Sequence, residues 1–219
     1  MTMFASVLAS LCSGFLRTLE IFVFTLVGAI PLGLVVCFGS MSRNRVLSFI
    51  VRSLIWIVRG TPLMLQLLIV FYGPGLVFGC NIWGGSGSGR MAATLVAFIL
   101  NYACYFSEIY RGGIESIGKG QFEACAVLGL NKWRTYTFVI LPQVFRRIIP
   151  PMANEVITLV KDTSLARIIA VYEIIYEGQS YIKAKGIIWP LFCTGIFYLV
   201  LNGVLTMLFS RMEERLSFE

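Results

Sequence analysis

The stretch "IFVFTLVGAIPLGLVVCFGS", residues 21–40, decides the class of this chain because it contains no charged residue. A helix of about 20 residues, at ~1.5 Å per residue, crosses the ~30 Å hydrocarbon layer of a bilayer. The whole sequence agrees, since 58% of its 219 residues are hydrophobic, only 13% are charged and the mean hydropathy is +0.83. The sequence therefore predicts an all-α integral membrane protein.

Four charge-free runs bounded by charged residues, and a shorter apolar stretch between Arg147 and Lys161, predict about five transmembrane helices in a single domain, residues 1–219. The fourth span contains Pro150 and Pro151, which we expect to interrupt its helical hydrogen bonds. Irregular backbone at membrane depth is tolerated where it lines protein or a watery cavity, so this span is a candidate for a binding site. The predicted spans are residues 18–40, 60–80, 91–111, 142–165 and 187–210.

The distribution of basic residues predicts the orientation of the spans, because Lys and Arg accumulate in cytoplasmic connections. Two thirds of the 18 Lys and Arg residues fall in the connections 41–61 and 108–147 and near the C-terminus. This bias places the N-terminus outside and the C-terminus inside the cell. We attribute the net charge of +7 to this signal and not to nucleic acid binding.

The residue inventory argues against catalysis and against a metal site. The chain has no histidine, which excludes Ser-His-Asp and Cys-His arrangements and H-E-x-x-H zinc sites. The loop "GGSGSGRM", residues 84–91, has the glycine spacing of a phosphate-binding loop, but Arg90 and Met91 replace its Lys and Ser/Thr. The six cysteines form no C-x-x-C motif and are expected to be small packing residues. The sequence thus predicts no catalytic residue, no metal and no cofactor in this chain.

The most polar long stretch is "GKGQFEACAVLGLNKWRTYTFVILPQ", residues 118–143. Residues 123–128 are compatible with a short helix, and Gly129 is well placed to end it. The small side chains of Ala124 and Cys125 allow another surface to approach closely. On pattern alone, the segment is either a docking element or an amphipathic helix on the membrane surface.

The sequence "YFSEIYRGGIESIGKGQFEACAVLGL", residues 105–130, followed by "VILP", closely resembles the cytoplasmic signature of ATP-binding-cassette importer permeases, in particular the polar amino acid permease family. In that family the segment carries a coupling helix that fits a groove on the ATPase subunit, here at about residues 119–130. Cys125 stands where the family usually has Ala, which is similarly small. The residues to which the resemblance assigns ATPase coupling are Glu123, Ala124, Cys125, Gly129, Leu141 and Pro142.

Two further segments extend the resemblance over roughly residues 55–170. The segment "RGTPLMLQ", residues 59–66, resembles the entrance to the second span of the family. There we expect Thr61 to cap the helix and Pro62 to occupy its first turn. The segment "NEVITLVKDTSL", residues 154–165, resembles part of the fourth span of the family.

The resemblance implies that this chain is a transport subunit that hydrolyses nothing itself. Two permease chains, a homodimer or a pair of homologues, would form the translocation path in the lipid of a bacterial cytoplasmic (inner) membrane. Two cytoplasmic ATPase subunits would bind ATP and Mg²⁺, and an extracytoplasmic binding protein would deliver the substrate. ATP binding would drive alternating access through the coupling helices.

Charged residues inside a span are costly, so Glu155 and Asp162 are the leading substrate-binding candidates. They are seven residues apart, which places them on nearly the same helix face, ~10 Å from each other. Asn154 is a further candidate, since "NE" at residues 154–155 resembles family members that handle Arg, Lys or His, whereas glutamine permeases tend to have "NQ". An unpaired carboxylate attracts a cationic side chain. Basic amino acids are therefore favoured, with glutamine or cystine as the alternative.

The remaining polar groups have two interpretations each. Asn101 and Gln66 either bind substrate or join helices through hydrogen bonds. Glu155 either faces the substrate or belongs to a structural ion pair, and Asp162 lies either in the pathway or in the outer interface.

Two other classes of protein remain open. A secondary transporter or channel would use the same charges without an ATPase, but the chain shows no convincing internal repeat. A membrane enzyme would have only Glu155 and Asp162 as its catalytic pair, and their spacing is loose for one proton transfer. The segment 163–179 forms either an outer gate or a connection, and Arg167 and Glu173 are the residues to test there.

Overall fold

The computed structural model describes residues 2–216, and the regular elements in that range are all helices, as predicted. A π-helical segment, Thr135–Ile140, precedes α7, and a 3₁₀ segment, Thr163–Ile169, follows it. The α-helices are α1 (Thr2–Ser40), α2 (Arg45–Arg59), α3 (Leu63–Phe78), α4 (Gly87–Glu115), α5 (Lys119–Val127), α6 (Lys132–Arg134), α7 (Leu141–Asp162), α8 (Ile174–Lys185) and α9 (Trp189–Leu216).

α4 is the central helix, and it packs along α1. Phe98, Tyr102 and Phe106 of α4 are among the largest fully buried side chains. Glycine in α1 permits the close approach, since a Cβ on Gly33 would lie 2.9 Å from the Cβ of Phe106. Small residues at such contacts are expected in a membrane, because close packing rather than apolar transfer holds helices together in lipid.

Helix length and hydropathy identify fewer membrane spans than the five or so that the sequence predicts. In the described range, residues 2–216, three helices, α1, α4 and α9, are long and apolar enough to cross a membrane. α2 and α3 form a fourth candidate only when taken together, because they meet at a bend of 106°. α7 has 22 residues but carries Arg146, Arg147 and Glu155, so composition does not mark it as a span. The count of about five is therefore loose, and the crossing by α7 stays a prediction.

α1 is the longest helix, with 39 residues, and begins well before the predicted span at residues 18–40. Arg17 and Glu20 do not end it, because they pair with each other along its surface at 2.7 Å. Its N-terminal part packs against the start of α8, where a Cβ on Gly14 would lie 2.9 Å from the Cα of Ile174.

Pro150 and Pro151 lie inside α7, which continues through them, so the irregular backbone expected at this point is not found there. A proline removes the hydrogen bond of its own missing N–H and its ring crowds the carbonyl one turn earlier, but packed neighbours in a membrane protein allow the helix to continue. The irregular backbone lies instead at the two ends of α7, in the π-helical and 3₁₀ segments.

The prediction that Thr61 caps α3 is also wrong. α3 begins at Leu63, and Pro62 precedes it in an extended conformation. The Thr61 hydroxyl donates to the Ile57 carbonyl oxygen at 2.9 Å and so closes the last turn of α2. The cause lies in the sequence order, since a residue before proline is disfavoured in a helical conformation and the chain bends there.

The segment at residues 163–179 is packed into the fold. Glu173 is fully buried, and its carboxylate accepts hydrogen bonds from the backbone N–H groups of Ile175 and Tyr176, each at 2.8 Å, which caps α8. Burial raises the pKa of the Glu173 carboxyl to about 7, although these donors act in the opposite direction. Arg167 is exposed. A gating role for either residue stays a prediction.

Candidate substrate cavity and docking helix

A cavity of about 610 Å³ opens between the α2–α3 bend, the middle of α4 and the C-terminal half of α7. Its size is that of a small-molecule site. We call it the acidic cavity because three of the five predicted substrate-binding residues, two of them carboxylates, line it. Its polar and charged lining residues are Arg59, Thr61, Asn101, Tyr102, Tyr105, Glu155, Thr158 and Asp162.

Glu155 is partly buried at the wall of this cavity. Among residues 2–216, no Lys or Arg lies within ion-pair distance of its carboxylate, so the structural ion pair considered from the sequence is not formed there. Glu155 and Asp162 line the same cavity, which agrees with the helix face that their spacing predicted. Their contact with a substrate stays a prediction.

Asp162 is fixed by Tyr102 of α4, whose hydroxyl donates to Asp162 Oδ2 at 2.7 Å. Tyr102 is itself buried, so this carboxylate is anchored to the core. Lys161, the neighbouring residue, is exposed and does not line the cavity. Asp162 therefore presents a positioned acceptor, whereas Glu155 presents a carboxylate without an ion-pair partner among the described residues.

Asn101 and Gln66 contact each other, since Asn101 Nδ2 donates to Gln66 Oε1 at 2.9 Å. Gln66 Nε2 donates in turn to the Val58 carbonyl oxygen at 2.7 Å and to both oxygens of Thr61. The pair thus ties α4 to the α2–α3 bend, which is the interhelical arrangement considered from the sequence. Asn101 lines the acidic cavity and Gln66 does not.

Asn154 lies outside the lining of the acidic cavity and is exposed. Its backbone carbonyl accepts a hydrogen bond from the Thr158 hydroxyl at 2.9 Å. Successive residues of an α-helix are about 100° apart around its axis, so Asn154 and Glu155 face different directions. A role of Asn154 in substrate binding has no support from this geometry.

Arg59 is the functional candidate that the sequence interpretation missed. It was counted among the basic residues of a connection, but it lines the acidic cavity together with Glu155. Its guanidinium lies 5.0 Å from the centroid of the Tyr105 ring and 3.6 Å from Glu108 Oε2. The sequence feature that could have identified Arg59 is its position next to Gly60 and Pro62. These turn residues bring the end of α2 back onto α4.

A helix, α5 (Lys119–Val127), lies where the coupling helix was predicted, and its coupling role stays a prediction. Gly129 follows it with φ 68°, in the left-handed region that favours glycine. The N–H of Gly129 donates to the Ala126 carbonyl and the N–H of Leu130 donates to the Cys125 carbonyl, each at 3.0 Å. These two hydrogen bonds close the helix, and they explain why glycine suits this position.

The predicted coupling residues on α5 differ in exposure. Glu123 and Ala124 are exposed, whereas Cys125 is buried and packs into the chain instead of facing a partner. Val127 and Leu128 are 88% and 75% exposed, although they are apolar and the sequence interpretation did not single them out. Two exposed apolar residues beside Glu123 form a compact surface for contact.

Leu141 and Pro142, at the start of α7, are exposed and line a cavity of about 340 Å³ with Leu216 of α9. Gln143 Nε2 donates to Gln121 Oε1 at 3.1 Å, which links α7 directly to α5. α5 and the start of α7 therefore belong to one continuous surface.

Comparison with known families identifies this architecture. Residues 29–218 match the family described as "Binding-protein-dependent transport system inner membrane component". The chain belongs to this family. The match includes every residue that lines the acidic cavity of the permease, as well as α5.

The permease is also similar to individual relatives over nearly its whole length. It is 32% identical over 209 residues to the glutamine transport system permease protein GlnP of Escherichia coli (strain K12). The matched region covers 94% of this chain and 92% of that protein. It is 34% identical over 204 residues to the arginine transport system permease protein ArtQ of Bacillus subtilis (strain 168), which covers 93% and 90%. These matches confirm the family resemblance seen in the sequence.

The fold of the permease matches that of solved transporters. The crystal structure of an amino acid ABC transporter with histidines superposes with a TM-score of 0.87 at 26% identity, over 98% of this chain and 97% of that chain. An inward-facing structure of the MetNI methionine ABC transporter superposes with a TM-score of 0.69 at 14% identity, over 100% and 99%, and shows the fold alone.

Proposed function

We propose that this permease is the transmembrane subunit of an ATP-driven importer for polar amino acids, with a preference for arginine, lysine and histidine. The observation that carries the proposal is Glu155, a partly buried carboxylate without an ion-pair partner in residues 2–216, in a cavity that also holds Asp162. The relatives named above are permeases for glutamine and arginine, which supports the broader assignment to amino acids.

The charges of the acidic cavity suit an amino acid with a cationic side chain. Two unit charges ~4 Å apart attract by ~4 kcal/mol at an effective dielectric constant of about 20. Glu155 would attract the ammonium or guanidinium group of such a side chain.

Glutamine is the second candidate, because the permease is as similar to GlnP as to the arginine permease. A neutral amide side chain would hydrogen-bond to Asn101 and Asp162 and would not need the charge of Glu155. Cystine is a further neutral alternative of the same importer type. An ATP-independent transporter or channel is disfavoured by membership of a binding-protein-dependent family.

The second part of the proposal concerns α5 and its contact with the ATPase. We infer that α5 docks on a cytoplasmic ATPase subunit through Glu123, Ala124 and the exposed Val127 and Leu128, and that the ATPase alone binds ATP and Mg²⁺. A second permease chain, a second ATPase and an extracytoplasmic binding protein complete the importer. The inferred orientation places the N-terminus outside and the C-terminus inside a bacterial cytoplasmic membrane.

ATP-driven uptake in proteoliposomes tests the proposed substrate. The permease is reconstituted with its ATPase and binding protein, and the uptake of labelled arginine, lysine, histidine, glutamine and cystine is compared with and without ATP. Faster uptake of the three basic amino acids is the expected result. A preference for glutamine or cystine would contradict the basic substrate and keep the importer, whereas uptake without ATP would contradict the importer.

Replacement of Gly129 by valine tests the docking of α5. A β-branched residue at φ 68° is strained by roughly 1–2 kcal/mol, so Gly129→Val displaces the end of α5. We expect ATP hydrolysis to continue while uptake falls by about tenfold, since that strain amounts to about one factor of ten. Gly186→Val is the matched control, because Gly186 has φ 67° at the end of α8. Equal uptake by the two variants would count against docking through α5.

A further inference from the structure

A second cavity, of about 500 Å³, adjoins the acidic cavity. Arg59, Gly60 and Tyr105 line both cavities, so these three residues form the wall between them. We call the second one the arginine-lined cavity. Its other lining residues are Arg52, Ile55, Trp56, Glu108 and Arg111.

The positions along α4 give the order of the two cavities. The acidic cavity touches α4 at Asn101 and Tyr102, the arginine-lined cavity touches it at Glu108 and Arg111, and Tyr105 lies between. Asn101 and Arg111 are ~15 Å apart along the helix axis. The arginine-lined cavity is therefore nearer the C-terminal end of α4, which leads directly into α5.

The wall between the two cavities contains a cation–π contact between Arg59 and Tyr105. The Arg59 guanidinium lies 5.0 Å from the centroid of the Tyr105 ring, within the range of cation–π attraction. Arg59 Nη1 is also 3.6 Å from Glu108 Oε2, but Arg111 holds the same carboxylate more tightly, at 2.6 and 3.0 Å. Within the part of the chain that the structure describes, the Arg59 guanidinium thus makes two weak contacts and can move without breaking the Glu108–Arg111 pair.

The backbone next to Arg59 favours such a movement. Arg59 is the last residue of α2, its side chain is 42% exposed, and Gly60 leads into the 106° bend before α3. Residues at the ends of helices are those that absorb changes of backbone conformation in hinge motions.

We propose that Arg59 and Tyr105 form the gate between the acidic cavity and the arginine-lined cavity. The proposal rests on the proposed function, because it takes the acidic cavity as a stage on the transport route. With Arg59 on Tyr105, a positive charge and a ring block the passage of a cationic amino acid. Movement of Arg59 off the Tyr105 ring, towards the Glu108 carboxylate that it already approaches at 3.6 Å, opens the wall.

Leakage without ATP tests this gate. The full complex is reconstituted into vesicles loaded with labelled arginine, and efflux is measured without ATP and without binding protein. We expect Arg59→Gln and Tyr105→Ala each to raise the efflux rate about fivefold over the parent, because each removes one side of the cation–π contact. Arg45→Gln is the matched control, since Arg45 is exposed, lies about four turns earlier on the same side of α2 and lines neither cavity.

The outcomes separate the gate from the proposed function. If Arg59→Gln assembles and its efflux equals that of the parent, the gate is wrong, whether or not Tyr105→Ala assembles. Equal leakage of Arg45→Gln would also overturn the gate, because loss of charge anywhere on α2 would then suffice. A parent complex that takes up no labelled amino acid with ATP overturns the proposed function, and the gate with it.

Discussion

Glu108 and Glu155 are two partly buried carboxylates on adjoining cavities, and their surroundings are opposite. Glu108 is held by Arg111 at 2.6 Å and approached by Arg59 at 3.6 Å, whereas Glu155 has no ion pair in the described range 2–216. A carboxylate whose negative charge is paired with a cationic side chain of the same chain contributes to the fold. A carboxylate without such a pair has its charge available to a ligand. The informative feature of a charged cavity is thus the charge that the protein leaves uncompensated.

Replacement of Glu155 by glutamine should produce the largest effect on transport. The change keeps the shape and removes the charge, and a charge contact of ~4 kcal/mol is lost, so we expect the uptake of arginine to fall by up to about a thousandfold. Uptake is measured in proteoliposomes alongside Glu20→Gln, which removes an exposed carboxylate of α1. Equal losses for arginine and glutamine would assign Glu155 to the structure instead.

Replacement of Glu108 by glutamine should affect stability. Arg111 and Arg59 lose a charged acceptor, and we expect the free energy of unfolding to fall by about 2 kcal/mol. Thermal unfolding of the purified permease measures this change. Glu115→Gln is the control, because Glu115 is more exposed and its ion pair within the described residues is with Arg111. A Glu108→Gln variant as stable as the parent would remove the contrast between the two carboxylates.

Glu173 is a third carboxylate to compare with Glu108 and Glu155. It is fully buried, forms no ion pair in the described residues and lies outside the predicted spans. Its pKa is raised from 4.5 to about 7, mainly by burial, so the folded protein holds a proton that the unfolded chain releases between these pH values. Its contribution to stability is therefore complete below pH 4.5 and is lost as the pH rises through 7. We expect Glu173→Gln to flatten this slope in thermal unfolding, and an unchanged slope would contradict the assignment.

The smallest effect is expected at a neutral pair. Asn101→Leu removes the hydrogen bond between α4 and Gln66, and such bonds between membrane helices are worth about 0.6 kcal/mol. Thermal unfolding should show a correspondingly small loss of stability. A loss as large as that of Glu108→Gln would mean that the neutral pair matters as much to the fold as the ionic one.

Local signals in the sequence predicted the local features well. The apolar runs predicted an all-helical membrane protein, and the turn at Gly129 predicted the end of α5, because a left-handed residue closes a helix through neighbouring backbone groups. The seven-residue spacing of Glu155 and Asp162 predicted a shared face, which depends only on helix geometry.

Features that depend on tertiary contacts were missed. The 106° bend brings Arg59 from an apparent connection to the wall of a cavity, and no local pattern reports that approach. Cys125 points into the chain because α5 packs on the segment before α7, although its small size suited a docking face equally well. Pro150 and Pro151 stay helical because tertiary packing overrides their local tendency to break a helix.

The length of α1 has a mechanical consequence. Its 39 residues extend over ~58 Å, about twice the thickness of the hydrocarbon layer. Such a helix either tilts or projects beyond the bilayer. Leu11 near one end is buried in a cluster with Ile174 of α8, and the Ser40 carbonyl at the other end accepts a hydrogen bond from Arg52 of α2 at 3.0 Å. α1 therefore contacts α8 near one end and α2 at the other, and we expect a change in its tilt to move both contacts.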